Sequence, residues 1–303
     1  MKYIENDSLK VMFNNEGTIT SIFDKVNDSE LVHQVDEEGW KFQDVTIFPL
    51  IGSYDYEVDG VNYHISSRHG FVRNREFTCV KNSEEEITFS YSSDDEDLAI
   101  YPFKFRLEVT YLLKGRELTT SYLVNNLDSK RMYYSLGNHL AIRAKEGDRI
   151  LTFDSRIYMK LNNGIIEVDN KNVKDDIVIS KDLFKELDTI VMINESDKVV
   201  VLTKTHKVTY RFDSPLFALW TNKDTSNFIC VEPWYGIGSY LNEPKELKKR
   251  LYINELEPSS KRKHTHSINF ELIDDFNWYS IIFKIIVILF GNVFVRNDFY
   301  DFC

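Results

Sequence analysis

Cysteine is rare in this chain of 303 residues: Cys79, Cys230 and Cys303 are the three, and none stands in a C-x-x-C spacing. A disulfide framework is therefore excluded as the main source of stability, and a reducing, cytoplasmic setting is expected. Basic charge is also in deficit. Lys and Arg number 37 against 48 Asp and Glu, a net charge of −11. That argues against a nucleic-acid partner, because phosphate binding rests on an excess of cations. The basic stretches "KELKKRL" and "KRKH" lie among acids and read as solvated faces. The opening "MKYIENDSLKVMF" lacks the apolar run of a secretory signal. Several catalytic signatures are missing too: there is no GxSxG elbow, no P-loop and no HExxH, and "GIGSYL" lacks the third glycine of a dinucleotide fingerprint. Helical spacing is nearly absent, with "SKDLFKEL" the one short candidate, capped by Ser180.

What the chain does contain is alternation. In "FKFRLEVTY", Phe103, Phe105, Leu107, Val109 and Tyr111 fall on one face and Lys104, Arg106, Glu108 and Thr110 on the other, the period of a half-buried strand. Similar short strands are legible in "TITSIF", "EITFSY", "ELTTSYLV", "KVVVLT", "KVTYRF", "RLYINEL" and "HSINFEL". Between strands lie turn-forming clusters such as "NNEG", "VDGVN", "KNSEE", "SSDDED" and "LKGRE". Abundant Tyr and Phe favour the same pleated surfaces. The fold class expected is all-β, a large antiparallel β-sandwich with few short helices, formed as one domain over residues 1–274.

Residues 275–303 form an apolar C-terminal extension of different character. Within it, "WYSIIFKIIVILFGNVFV" runs from Trp278 to Val295, with Lys284 its one charge. That length is at the lower limit for a membrane span of about 20 residues. A central lysine costs roughly 2.5–3.5 kcal/mol on insertion scales. An added strand or helix, or a simple extension, is favoured over membrane contact.

Three segments place a titratable group beside a tight turn. They are "SSRHGFVRNREF" with His69, "SLGNHLAIR" with His139, and "NFICVEPWYGIGSY" with Glu232. Glu232 follows the apolar run Phe228–Val231 and precedes Pro233, which has no N–H and is expected to end the ladder there. Two imidazoles and a carboxylate suit proton transfer near neutral pH. Trp40, Phe71, Trp234 and Tyr235 offer flat apolar faces of the kind sugars pack against. Taken singly, each of these histidines also reads as a structural hydrogen-bonder, and Glu232 as surface. His264 and His266 alternate onto one strand face and read as a solvated pair rather than a metal site. No metal and no cofactor are expected.

In this order the segments resemble the aldose 1-epimerase (galactose mutarotase) family, in its shorter bacterial branch, over roughly residues 3 to 272. "FPLIGS", "YEVDGVNYHISSRHGFVRNREF", "YPFKFRLEVTYLL", "SLGNHLAI" and "CVEPWYGIGS" are similar to the family's FP-x-x-G-R, hairpin and H-G-F-A-R-D, central strand, G-G-H-P-A-F and C-x-E-P-W-Y-G segments. The resemblance implies a galactose mutarotase-like β-supersandwich that interconverts the α and β anomers of a free aldose. By this likeness Glu232 is the general base on the anomeric hydroxyl, His139 the general acid on the ring oxygen, and His69 a hydrogen-bonding partner near that oxygen. Arg73, Asp188, Trp234 and Trp40 are implied substrate-binding residues. Ser53 stands where the family has an arginine, Asn138 replaces a glycine before His139, Leu140 replaces the proline after it, and Asn74 replaces an acid.

A small sugar is the partner implied, with a monomer or a homodimer both compatible. Two other functions remain open: a non-catalytic carbohydrate-binding protein of the same fold, and a glycoside hydrolase pairing Glu232 with Asp188, which needs carboxylates about 5–10 Å apart. For an epimerase, Glu232 and His139 should face each other across one pocket. About 5–7 Å between them would admit a sugar's O–C–O unit and its two hydrogen bonds.

Overall fold

The computed structural model describes residues 2–35, 40–52, 55–153, 156–161, 165–173, 176–222 and 227–273. Ser53 and the extension 275–303 lie outside the described residues. Two large antiparallel sheets dominate. One has nine strands in the order Asp176–Val178, Arg149–Leu151, Lys198–Leu202, His206–Phe212, Lys261–Leu272, Glu117–Asn126, Phe105–Lys114, Glu86–Ser92 and Thr78–Asn82. The other has eight, running Ile165–Val173, Arg156–Leu161, Thr189–Ile193, Leu216–Trp220, Phe228–Tyr235, Leu136–Asn138 and Thr46–Ile47, with Ala141–Arg143 also paired to Phe228–Tyr235. The expected antiparallel sandwich is what forms. Among the described residues no helix is long and apolar enough to cross a membrane.

The alternation translates directly into burial. Phe105, Leu107, Val109, Tyr111 and Leu113 point into the core, whereas Arg106 and Lys114 are exposed. Rings fill much of the space between the sheets: Phe48 packs against Phe105, Tyr134 and Tyr101 at centroid distances of 4.9, 5.7 and 6.3 Å. Phe71 belongs to this same core, tilted against Tyr101 and Phe105. It is therefore not one of the sugar-facing rings expected above.

Two local expectations are corrected. "SSDDED" does not simply turn. It opens the short helix Asp95–Ile100 through a capping box, in which Asp94 accepts the Asp97 N–H at 2.9 Å and Asp97 accepts the Asp94 N–H at 3.3 Å. The pattern was masked because the capping acid at the third helical position is Asp rather than Glu or Gln. "RLYINEL" gives only a short strand, Asn254–Leu256. The helix Lys181–Leu187 forms where "SKDLFKEL" predicts it.

His264 and His266 are corrected as well. They are not solvated, for the strand Lys261–Leu272 turns both inward, leaving His264 7 % and His266 2 % exposed. His264 Nε2 lies 2.8 Å from the Tyr134 hydroxyl, and His266 stacks on Tyr122 at 5.9 Å. Flanking lysines and arginines suggested water, but period-two alternation put the two imidazoles on the core side. Burial lowers their pKa values from 6.5 to about 4 and about 3. The unfolded chain therefore binds protons that the folded chain refuses, and stability falls as pH drops below about 6.5. Between pH 7 and pH 5 the stability advantage of wild type over His266→Gln should shrink by about 2 kcal/mol. Urea midpoints measured at both pH values check this, and an unchanged difference would refute the burial argument.

Candidate functional site

The strand Phe228–Tyr235 is buried along its whole length and divides its side chains by parity. Ile229, Val231 and Tyr235 join the core between the sheets. Phe228 and Cys230 join Ala141, with Trp40 and Trp220 alongside, while Trp234 packs with Val45, Ile47 and Ala218. Glu232 has the parity of this second set, so it lies on the outer face of the eight-stranded sheet with apolar groups on both sides.

Glu232 is not at a strand end, contrary to expectation. The strand runs through Pro233, which pairs with Phe217 on one side. On the other side, Gly137 pairs with Trp234 and Ala141 with Cys230, and the ladder is interrupted between them. Pro233 falls at this interruption, and so does His139. A proline inside a ladder is tolerable where a donor is not required. Tyr235 is corrected too. Its hydroxyl donates to the Thr265 carbonyl at 2.8 Å on the core side, so it forms no wall of the site.

His139 and Glu232 meet directly, with Nε2 and Oε1 3.3 Å apart. The residues are 6 % and 1 % exposed. The two groups do face each other, but closer than the spacing expected for a bound sugar. The Trp234 indole donates to the other carboxylate oxygen at 3.1 Å. The His139 ring stacks on Trp40 at 4.5 Å and 25° and meets the edge of Trp220 at 5.5 Å. Its backbone N–H donates to the Val45 carbonyl at 3.0 Å. His33 Nε2 in turn donates to the Trp40 carbonyl at 2.7 Å.

His69 comes to the same place from a separate turn, its ring 5.7 Å from His139 and 6.5 Å from Trp234. It has a left-handed backbone, φ 64°, followed by Gly70 at φ 78°. A β-carbon on Gly70 would lie 1.9 Å from the Phe48 carbonyl oxygen. Arg73 follows on the single turn Val72–Asn74, its guanidinium 4.4 Å from the Phe42 ring centre. Asp188 is exposed, at the end of the helix Lys181–Leu187. Thr189 beside it pairs with Trp220, and Trp220 with Cys230, so Asp188 sits two strands from Glu232 and outside the His139–Glu232 contact.

The electrostatics favour a neutral imidazole in the resting site. Burial lowers the His139 pKa to about 3, and the positive charges of Arg73 and Arg68 push the same way. Asp44 is raised to about 6, by burial that outweighs its hydrogen bonds from the Ile19 N–H and Asn138. Asn138 donates to Asp44 Oδ1 at 2.7 Å, and the Ile19 N–H reaches Oδ2 at 3.1 Å. The asparagine before His139 thus ties its strand to a buried carboxyl group. The one metal-capable cluster among the described residues comprises His139, Cys230 and Glu232, whose ligand atoms lie within 4.8 Å of one another.

Trp220, Cys230, Arg68 and the Asp44–Asn138 pair were not anticipated as parts of this site. Parity relates Cys230 to Glu232 within one strand, but Trp220 becomes visible only through the inter-strand register.

Comparison with known proteins gives a consistent picture. A family model described as aldose 1-epimerase matches residues 3–250. The plasmid-encoded protein LacX of Lactococcus lactis subsp. lactis is 29% identical over 293 residues, covering 88% of this chain and 97% of that protein. A galactose mutarotase related enzyme from Lactobacillus acidophilus has a similar structure, with TM-score 0.83 and 26% identity over 90% of this chain and 98% of that one. The galactose 1-epimerase of Lactobacillus acidophilus NCFM shares the fold at TM-score 0.70 and 14% identity, over 90% and 94% of the two chains.

The turn that carries His69 can be tested apart from any activity. Gly70→Ala should cost on the order of 2–4 kcal/mol, combining left-handed strain with a backbone clash. Gly60→Ala has a similar φ of 80° but nothing within 4 Å of the added carbon, and should cost only about 1 kcal/mol. Equal losses in chemical denaturation would show that the contact with Phe48 does not matter.

Proposed function

The chain belongs to the aldose 1-epimerase family, and we propose that it interconverts the α and β anomers of a free aldose by general acid–base ring opening. The observation that carries this reading is the buried contact of His139 with Glu232, walled by Trp40, Trp220 and Trp234. No other described pair unites an imidazole and a carboxylate with so many flat apolar faces.

In the proposed reaction the sugar enters between the two side chains and replaces their 3.3 Å contact. Glu232 accepts the proton of the anomeric hydroxyl, while imidazolium His139 delivers its proton to the ring oxygen. The C1–O5 bond breaks and the C1 carbonyl forms. Rotation about C1–C2 presents the other carbonyl face, and closure returns each proton to its origin. Oxidation state is unchanged throughout. His69, Arg73, Trp40 and Trp234 hold the sugar during the exchange, and His69 steadies charge near the ring oxygen.

A second reading has a specific observation behind it: the His139–Glu232 contact occupies the space that the reacting O–C–O unit would need. A carbohydrate-binding protein without catalysis would be compatible with that contact. Polarimetry of freshly dissolved α-galactose and α-glucose separates the two. Glu232→Gln and His139→Gln should each reduce kcat by about 10²–10⁴-fold, with sugar still quenching tryptophan fluorescence. Binding by wild type with no faster anomer equilibration would favour the binding protein.

The pH profile offers a further check. The reactive imidazolium is lost as pH rises above a lowered pKa, so kcat/KM should decline through the neutral range, about tenfold per pH unit at its steepest. Arg68→Ala removes a positive charge that lowers the His139 pKa. It should move the declining limb to higher pH, and a shift to lower pH would contradict the assigned acid.

A further inference from the structure

We propose that Cys230 completes, with the acid–base pair, a binding site for a thiophilic divalent cation such as Zn²⁺, and that the ion excludes the sugar. The inhibitory half rests on the epimerase reading above, whereas the binding half does not. Imidazole nitrogen, thiolate sulfur and carboxylate oxygen are the donor set zinc accepts. The three donor atoms lie within 4.8 Å of one another, and His139 Nε2 and Glu232 Oε1 are 3.3 Å apart. Tetrahedral zinc with bonds of about 2.0–2.3 Å holds its ligands roughly 3.3–3.8 Å apart. One edge of that tetrahedron is thus already in place, and the other donors lie within about an ångström of it.

The fold holds these ligands firmly. Cys230 and Glu232 are two residues apart on one strand, hence on one face. Cys230 is flanked in register by Ala141 and Trp220, and Glu232 by Ala218. The Trp234 indole binds Glu232 Oε2, leaving Oε1 directed at His139 and fixing the carboxylate as an outer hydrogen bond does around a metal. Two features limit the affinity to a reversible range. Among the described residues His139 Nδ1 is buried with no partner in good hydrogen-bond geometry, so the ring lacks the outer carboxylate or carbonyl contact that strengthens metal-bound imidazoles. The charges of Arg73 and Arg68 also bear on His139.

On binding, the thiol proton is released to solvent, a Zn–S bond forms, and Nε2 and Oε1 each donate a lone pair. The fourth position stays open. The base oxygen and the acid nitrogen are both consumed, so inhibition should be competitive with sugar.

Cobalt(II) is the spectroscopic probe for the full chain. Wild type should bind one equivalent, with a thiolate-to-cobalt charge-transfer band in the near ultraviolet and the visible bands of a tetrahedral ion. Cys230→Ser should abolish the charge-transfer band, and the Cys79→Ser/Cys303→Ser double variant should retain it. X-ray absorption of the wild-type zinc complex gives a readout independent of any variant, with one sulfur expected at about 2.3 Å among nitrogen and oxygen ligands at about 2.0–2.2 Å. In polarimetry, Zn²⁺ should inhibit Cys230→Ala at least tenfold more weakly than wild type. A shell of nitrogen and oxygen alone, or a charge-transfer band surviving in Cys230→Ser, would overturn the site. Cobalt bands in a protein that does not accelerate mutarotation would leave the site standing and refute the epimerase reading.

Discussion

One constraint governs this molecule: the strand Phe228–Tyr235 has to satisfy two environments at once. Its odd-numbered side chains Ile229, Val231 and Tyr235 close the core between the sheets, while Cys230, Glu232 and Trp234 face outward beneath a cover of aromatic rings. Because side chains alternate with period two, a slip of one residue would drive the carboxylate into the apolar core. Pairing on both flanks prevents it, through Ala218↔Glu232 on one side and Ala141↔Cys230 with Gly137↔Trp234 on the other. Glycine at 137 serves the same end, since an added β-carbon would come within 3.0 Å of the Pro233 carbonyl oxygen.

Burying a carboxylate and an imidazole together is costly unless their polar atoms are met. Here the indole N–H of Trp234 and the imidazole of His139 each engage one carboxylate oxygen. The rings around them exclude water and strengthen those contacts. A neighbouring tie, from Asn138 to Asp44, anchors the strand Leu136–Asn138 that leads into His139. Elsewhere Asp24 does comparable work, accepting from Arg116 at 2.5 Å and from His206 at 2.8 Å, and so joining the small N-terminal sheet to the large one.

Much of the fold was legible because its signal is local. Alternation in "FKFRLEVTY" and its counterparts required only a window of nine residues or so, and it located the long central strands. The site was legible differently. His69, His139, Glu232, Trp40, Trp234 and Arg73 do gather, but their convergence depends on which strands are neighbours, and that is a non-local property. The same limit explains the errors. Pro233 looked like a terminator because its missing N–H was considered without the interruption between Gly137 and Ala141 that accommodates it. Tyr235 and Phe71 looked like pocket walls because aromaticity carries no information about facing. His264 and His266 were judged by their charged neighbours when their parity was the stronger signal.

His139 Nε2 and Glu232 Oε1 touch directly, at 3.3 Å. Both side chains are almost fully buried, so breaking their contact without a replacement would be costly. An entering aldose can replace the contact with hydrogen bonds of the same kind, its anomeric hydroxyl donating to the carboxylate and its ring oxygen accepting from the imidazole. On the proposed mechanism the exchange would cost little in net hydrogen bonding, and apolar contact with Trp40 and Trp234 would supply the driving force. A molecule without both oxygens in that arrangement restores only half of what it displaces. On the proposed mechanism, the contact that pairs these two buried groups therefore also selects for the O–C–O unit of a cyclic aldose.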